Sequence, residues 1–223
     1  MTLPMQDTDV TRALQGLEAD RSAVRLRTAM GVGTTPDPRF VAKLLERCAV
    51  EPDFQVREML TWALTRHSPA ATVPELVGEV RSERAQARSQ ALHTLSKIGD
   101  RQAWPVITRA LLSDAEDEVA RSAWRAAVVL VPPGEEGELA DALAMQLGRG
   151  GREMQLSLSR ALVALGEVIL PVLHAAAAGP APGVRAHALA TERLLQDPDA
   201  GFGFAIEEAK RVVALGTGGE EGQ

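Results

Sequence analysis

Residues 83–113, ERAQARSQALHTLSKIGDRQAWPVITRALLS, hold the pattern that decides the fold. They read as one helix, a Gly99-Asp100 turn, and a second helix opened by a proline, Pro105. Ala87, Ala91 and Leu95 follow one another at i, i+4 and i+8, which lines up an apolar stripe on one helix face. Gly99 directly after the last apolar turn is a stop signal, and proline in a helix's first turn costs no hydrogen bond.

The same unit recurs on both sides. With Arg88 as anchor, the corresponding positions are Arg25, Arg57, Arg121, Gln155 and Arg185, spaced 32, 31, 33, 34 and 30 residues apart along the chain. The residue before each anchor is apolar: Val24, Val56, Ala87, Ala120, Met154 or Val184. A second landmark recurs on the preceding helices as Val73-Pro74-x-Leu76, Trp104-Pro105-x-Ile107 and Leu170-Pro171-x-Leu173. Helices repeating at this period, with no alternating strand pattern, mark an α-solenoid, whose core grows by stacking units rather than around one centre.

On these residues the chain resembles the HEAT repeat family, in particular its short bacterial form also seen in phycocyanobilin-lyase-like proteins. The carriers are Asp53-x-x-Val56-Arg57, Ala87-Arg88-x-x-Ala91-x-x-x-Leu95-x-x-x-Gly99-Asp100 and the proline-bearing first helices. The resemblance spans roughly residues 8–197 and is strongest in the second to fourth units. Gln155 replaces the arginine of the fifth unit, and Glu192 stands at an apolar position of the sixth. It implies an all-α, right-handed solenoid of about six helix pairs closed by a C-terminal capping helix. One array over 1–215 and a disordered tail over 216–223 follow as the expected domain organisation.

Composition narrows the function. Hydrophobic residues make up 45% of the chain, ample for stacked helices, while aromatics are only 3% and tyrosine is missing, which is thin for a base-stacking surface. A formal net charge of −6 argues against general affinity for nucleic acid or anionic membrane, whose binders present a basic footprint. The single cysteine, Cys48, excludes an internal disulfide, fits a reducing cytoplasm, and reads as a buried thiol beside Leu44 and Leu45. The first residues, MTLPMQDTDVTRAL, lack the positive charge and apolar run of a secretion signal. The most apolar segment, 161–178, is interrupted by Glu167, Pro171 and His174 and reads as buried helices rather than a membrane span.

The expected elements are helices at about 8–18, 20–32, 39–49, 53–67, 72–81, 83–98, 102–113, 116–131, 135–148, 152–165, 167–178, 182–196 and 202–215, with Asp20 and Asp53 as N-caps. The glycine-rich turn at 148–151 is no phosphate loop, because neither a preceding strand nor a following Gly-Lys-Ser/Thr is present.

Two rows of residues stand out. Arg25, Arg57, Arg88, Arg121 and Arg185 form a ladder about 60° from the buried stripe, given 100° per residue. From there an arginine reaches carboxylates or helix-end carbonyls, and in HEAT-like repeats the matching arginine pairs with an acidic residue; Asp20, Asp53, Glu83 and Asp117 are the candidates. This ladder reads as structural. Positions two, five and nine after each anchor should instead line the concave face. They are Arg27, Met30 and Thr34; Met59, Trp62 and Arg66; Gln90, His93 and Lys97; Ala123, Ala126 and Leu130; Ser157, Arg160 and Ala164; and His187, Ala190 and Leu194. The candidate partner site is Arg27, Met59, Trp62, Arg66, Gln90, His93, Lys97 and Arg160, a basic strip without an acidic member. In it Trp62 should adjoin His93, and Arg66 should adjoin Lys97. Trp124 falls on the buried stripe, and Trp104 reads as packing against its neighbour.

No catalytic or metal-ligating constellation appears. The four histidines, His67, His93, His174 and His187, are spread along the chain, no His-x-x-x-His or Cys/His cluster is present, and acidic pairs such as Glu116/Asp117 and Glu135/Glu136 sit at helix starts. The reading is a non-enzymatic cytoplasmic scaffold without cofactor or metal, binding another protein through an acidic segment along the concave face. The alternative is a nucleic-acid binder of the kind found among HEAT-like DNA alkylation-repair glycosylases, which Trp62, Arg66 and Lys97 echo. Tetrapyrrole attachment follows from the lyase-like branch alone, with no residue arguing for it.

Overall fold

The computed structural model describes residues 6–197 and 201–217, and every regular element among them is helical. The α-helices are α1 (Asp7–Leu17), α2 (Ser22–Thr34), α3 (Val41–Cys48), α4 (Phe54–Arg66), α5 (Pro69–Glu79), α6 (Ala85–Ile98), α7 (Arg109–Leu112), α8 (Asp117–Leu130), α9 (Glu136–Ala144), α10 (Arg152–Val163), α11 (Leu170–Ala177), α12 (Pro182–Gln196) and α13 (Phe202–Thr217). Short 3₁₀ turns at Pro38–Phe40, Arg101–Val106 and Gly166–Ile169 lead into α3, α7 and α11.

The chain clusters into two compact units, Met1–Thr108 with Glu118–Leu130, and Arg109–Asp117 with Val131–Gln223. In the first, α2, α4 and α6 pack side by side as an inner layer, and α1, α3 and α5 form the outer layer against them. Phe40, Leu44, Leu60, Leu64, Leu92 and Leu95 fill the space between the layers, and Trp124 of α8 is fully buried. In the second unit α10 packs on α12 and α9 on α11. There α13 covers α12, where Phe202, Ala205, Ile206, Ala209 and Val213 bury Ala186, Ala190 and Leu194.

Local chemistry explains most boundaries. The Asp53 carboxylate accepts from the backbone N–H groups of Gln55 and Val56, at 2.9 and 3.1 Å, and so caps α4. Gly99 closes α6 in the left-handed region at φ 70°, with its N–H returned to the Leu95 carbonyl. Asp20 is not a cap: Arg21 holds the N-cap position of α2 without a side-chain bond, and the Asp20 carbonyl is engaged elsewhere.

The proline landmarks differ from one another. Only Pro171 sits in a first turn, that of α11. Pro69 already opens α5, so this helix begins earlier than residue 72 and carries Pro74 in its interior. The continuous helix expected over 102–113 is broken: Pro105 lies in a 3₁₀ turn, Ile107 is extended at φ −77° and ψ 92°, and α-helix resumes for only four residues at α7. Proline cannot donate to the helix ladder and disfavours helical geometry in the residue before it, which accounts for the break. The final helix runs to Thr217, so the tail expected from 216 overlaps its last turn, and residues 218–223 lie outside the described residues.

Candidate partner-binding face

The arginine ladder has a precise local geometry. Arg25 Nη1 donates to the Ala19 and Asp20 carbonyls, both at 2.8 Å. Arg57 repeats the clamp on Glu51 and Pro52 at 2.9 and 2.8 Å, and Arg88 on Ser82 and Glu83, both at 3.0 Å. Arg185 does the same on Gly179 and Pro180 at 3.3 and 3.2 Å, and the Gln155 amide reaches the Gly150 carbonyl at 3.2 Å. Each guanidinium thus ties its helix to carbonyls six and five residues upstream, in the turn that enters the helix. The carboxylates of Asp20, Asp53, Glu83 and Asp117 are not the acceptors of these clamps. A carbonyl at a fixed offset is present in every unit whatever its side chain, so the ladder needs no matched acid. Arg121 departs from the pattern and donates to the Glu118 carboxylate at 3.0 Å.

One acid does enter the interior, and it is Glu51. Its side chain is fully buried and takes Arg25 side-on, Nε to Oε2 and Nη2 to Oε1, both at 2.7 Å. Arg47 Nε adds a contact at 2.8 Å, and the Asp53 N–H donates to Oε1 at 2.9 Å. The Glu51 carbonyl accepts from Arg57 and from the Gln86 amide, the latter at 2.9 Å. Burial works most strongly against the charge on this carboxyl. The hydrogen bonds from Arg25, the Asp53 backbone and Arg47 outweigh it and hold the group down at about 2.

The offsets expected to line one face separate into open and closed sets. Arg27, Met30, Trp62, Arg66, Lys97 and Arg160 are exposed, and Met59, Gln90 and His93 are half-buried. Arg160 lies on α10 of the second unit, and the rest lie on α2, α4 and α6 of the first. In the fourth unit Ala123, Ala126 and Leu130 are fully buried, so this row is core there. In the sixth, His187, Ala190 and Leu194 are buried, the latter two under α13.

Within the first unit the open row has definite contacts. Trp62 is 39% exposed yet tightly seated: a methyl group added at Gly33 would lie 2.3 Å from its ring. Gly33 therefore admits the indole against the α2 backbone, a close approach only glycine allows. Arg66 lies over the Trp62 ring at 6.0 Å, a cation–π arrangement that holds both side chains at the surface.

His93 meets a carboxylate: its Nε2 is 3.4 Å from Glu58 Oε1. An acidic residue from offset one, outside the positions of the strip, therefore stands against it. Burial lowers the His93 pKa, Glu58 opposes that shift, and the positive charges of Arg125 and Lys97 add to it. Arg125, four residues after the fourth anchor, belongs to the same group of charges. It donates to Ser122 Oγ at 3.1 Å, and Ser122 is itself 3.0 Å from Ser89 Oγ.

In the second unit, His187 makes a closed polar knot rather than facing a groove. The Gly148 N–H donates to Nδ1 at 2.9 Å, which leaves the ring proton on Nε2. Nε2 is 3.0 Å from both the Gln155 carbonyl and Ser159 Oγ, and Ser159 is 2.7 Å from Thr191 Oγ1. With its proton there, this imidazole offers Ser159 no lone pair to act as a base. Burial depresses its pKa to about 4. Cys48 is likewise buried, and desolvation pushes its thiol up to about 12.

Among the described residues no helix is long and apolar enough to cross a membrane. No group of three or more His, Cys, Asp or Glu among them could hold a metal ion. No curated protein matches the chain. Residues 41–127 match the family described as HEAT repeats, the segment that runs from α3 through most of α8. Residues 41–127 are thus HEAT repeats, and helices with the same carbonyl clamp stand before and after that segment.

Proposed function

We propose that this protein is a non-enzymatic cytoplasmic scaffold that binds another protein, through an acidic segment, along the exposed inner-helix face. HEAT repeats in general serve as protein-interaction surfaces, and two-layer stacking leaves one face of the inner helices open for that purpose. The observation that carries the reading is Trp62. A large aromatic, open to solvent but held rigidly on Gly33 and under Arg66, offers apolar contact area without having to be ordered on binding. Arg66 lies over its ring, and Arg27 and Lys97 are further exposed cations on inner helices of the same unit, in a chain whose net charge is −6. Such a local reversal of sign favours encounter with an acidic surface and orients it. Arg160 is an exposed cation on α10 of the second unit.

Pull-down from the native host with mass spectrometry supplies the partner, and titration of the purified partner against wild type, Trp62→Ala and Lys97→Glu tests the face. Equal affinity for all three folded proteins overturns this assignment. Duplex DNA titrated over a salt series separates the nucleic-acid alternative, since phosphate contact makes affinity fall steeply with salt.

A further inference from the structure

The group around His93 has hydrogen-bonding capacity that the fold does not use. Among the described residues four buried polar atoms have no hydrogen-bond partner, Thr61 Oγ1 on α4 and, on α6 and α8, Gln90 Oε1, His93 Nε2 and Arg121 Nε. Gln90 and His93 are one turn apart on α6, and Arg121 and Arg125 are one turn apart on α8. Glu58 reaches His93 at 3.4 Å, and its charge acts on Arg125 as well. The contact to His93 is a charge approach and not an aligned hydrogen bond. Arg125 stays accessible, and among the described residues its one hydrogen bond is to the Ser122 hydroxyl.

Unpartnered buried polar atoms are rare because each costs desolvation energy, so those on α6 and α8, linked through Arg125, whose charge acts on His93 and which feels Arg121 and Glu58, point to a ligand that completes them. The unmet needs are of two kinds. Arg121 Nε and the remaining Arg125 N–H groups require an acceptor, and Gln90 Oε1 requires a donor. A simple anion supplies only acceptors. A peptide carrying Asp or Glu supplies a carboxylate and, a few bonds away on the same residue, a backbone N–H. Apolar area for the flanking residues lies on the same inner layer at Trp62 and Met59.

We infer that Glu58, Gln90, His93, Arg121 and Arg125 form a seat for one carboxylate side chain of an acidic partner segment, and that Glu58 stands in for it in the free protein. The inference rests on the scaffold reading above and names the place where the acidic segment docks. Glu58 acts as an internal competitor: it offsets the positive charge when no partner is present, and it swings out when a carboxylate arrives. Its side chain is 48% exposed and meets His93 and the charge of Arg125 rather than any apolar core residue, so its displacement leaves the core in place. Arg125 is then the residue that grips the incoming carboxylate, held in place by the buried Ser89–Ser122 pair.

The test uses the full chain and a fluorescein-labelled oligoglutamate peptide, followed by anisotropy, with an oligolysine peptide and inorganic phosphate as controls. The expected result is saturable binding of oligoglutamate only. Arg125→Ala should weaken it about tenfold or more, as loss of a charge-assisted partner does. Glu58→Gln should tighten it by about threefold or more, because the competitor loses its charge. Circular dichroism melts establish that both variants stay folded, and Glu58→Gln keeps the test decisive should Arg125→Ala misfold. Three outcomes overturn the seat: no binding to wild type and none to Glu58→Gln, equal binding of all folded variants, or competition by phosphate at the same concentration as peptide. Equal binding by these variants, with loss in Trp62→Ala and Lys97→Glu, removes the seat alone and leaves the scaffold reading standing.

Discussion

Arg25 and Glu51 meet side-on inside the protein, guanidinium to carboxylate, with two hydrogen bonds of 2.7 Å and both side chains shielded from water. Planar fork against planar fork is the geometry in which arginine is least replaceable. Truncating one partner of a buried pair leaves the other charged and desolvated. Glu51→Ala should therefore cost on the order of 3–5 kcal/mol, read from denaturant midpoints. Stability within a few tenths of wild type would show that water or neighbouring groups compensate the charge.

Acid should unfold the protein in two separable stages. His187 has a folded pKa near 4, below its unfolded value, so the unfolded chain binds the proton more readily. Its contribution is complete above about pH 6.5 and is lost as pH falls towards 4, amounting to roughly 3 kcal/mol. Glu51, held at about 2, is also depressed; its contribution is present above the usual glutamate range and is lost as pH falls through 2. Urea melts from pH 7 to 3 should show the first loss in wild type and a flattened profile between 6.5 and 4 in His187→Gln. An unchanged slope in that variant assigns the loss to other groups.

The clamp predicts a modest, local penalty. Arg57→Ala and Arg88→Ala each release two carbonyls in the turn ahead of the helix and should lower stability by about 1–3 kcal/mol without a selective effect on partner affinity. Unchanged melting temperatures in both variants would mean that water replaces the guanidinium at no cost.

Gly33→Ala tests the Trp62 seat from the opposite side. Alanine gains up to about 1 kcal/mol in intrinsic helix propensity. Its methyl would lie 2.3 Å from the indole and 2.9 Å from the Ala63 Cα, and backbone does not yield as a side chain does. Overpacking costs typically about 1–3 kcal/mol, so the net change should be a loss. A rise in melting temperature would show that α2 and α4 separate easily.

Cys48 should be inert to a thiol reagent in the native protein and react on denaturation, since burial raises its thiol to about 12. Rapid native labelling would reveal opening between α3 and its neighbours.

The helix pairs were legible because their signals are local. Arg25, Arg57, Arg88 and Arg185 recur at a fixed period, and their acceptors lie five and six residues upstream, within the reach of a sequence pattern. Asp53 declares its cap in the same way. Asp20 and Pro74 show the limit: a capping residue or a proline marks the neighbourhood of a helix start, and tertiary context chooses the residue. Glu51 was invisible because its chief partner is 26 residues away and nothing around it announces burial. Glu58 and Arg125 escaped for a different reason. Long side chains reach across the groove from offsets one and four, while the face was drawn from offsets two, five and nine. The closed part of that row was signalled by its own composition, since Ala123, Ala126 and Leu130 are apolar at places where the second and third units carry Met59, Trp62, His93 and Lys97.

Repeat arrays ordinarily fray from their ends, because each unit leans only on the next. Glu51 alters that expectation for the first three pairs. Its carboxylate is bound by Arg25 of the first pair and Arg47 of the second, and its carbonyl by Gln86 of the third. Peeling off α1 and α2 would break the double hydrogen bond from Arg25 and leave Glu51 to Arg47 and the Asp53 N–H, so the amides of α2 and α4 should exchange with solvent together rather than in sequence. Trimming the array to a shorter fragment that begins at α3 should then give a chain with lower solubility, whereas the same cut in a strictly neighbour-to-neighbour array would only remove one increment of stability.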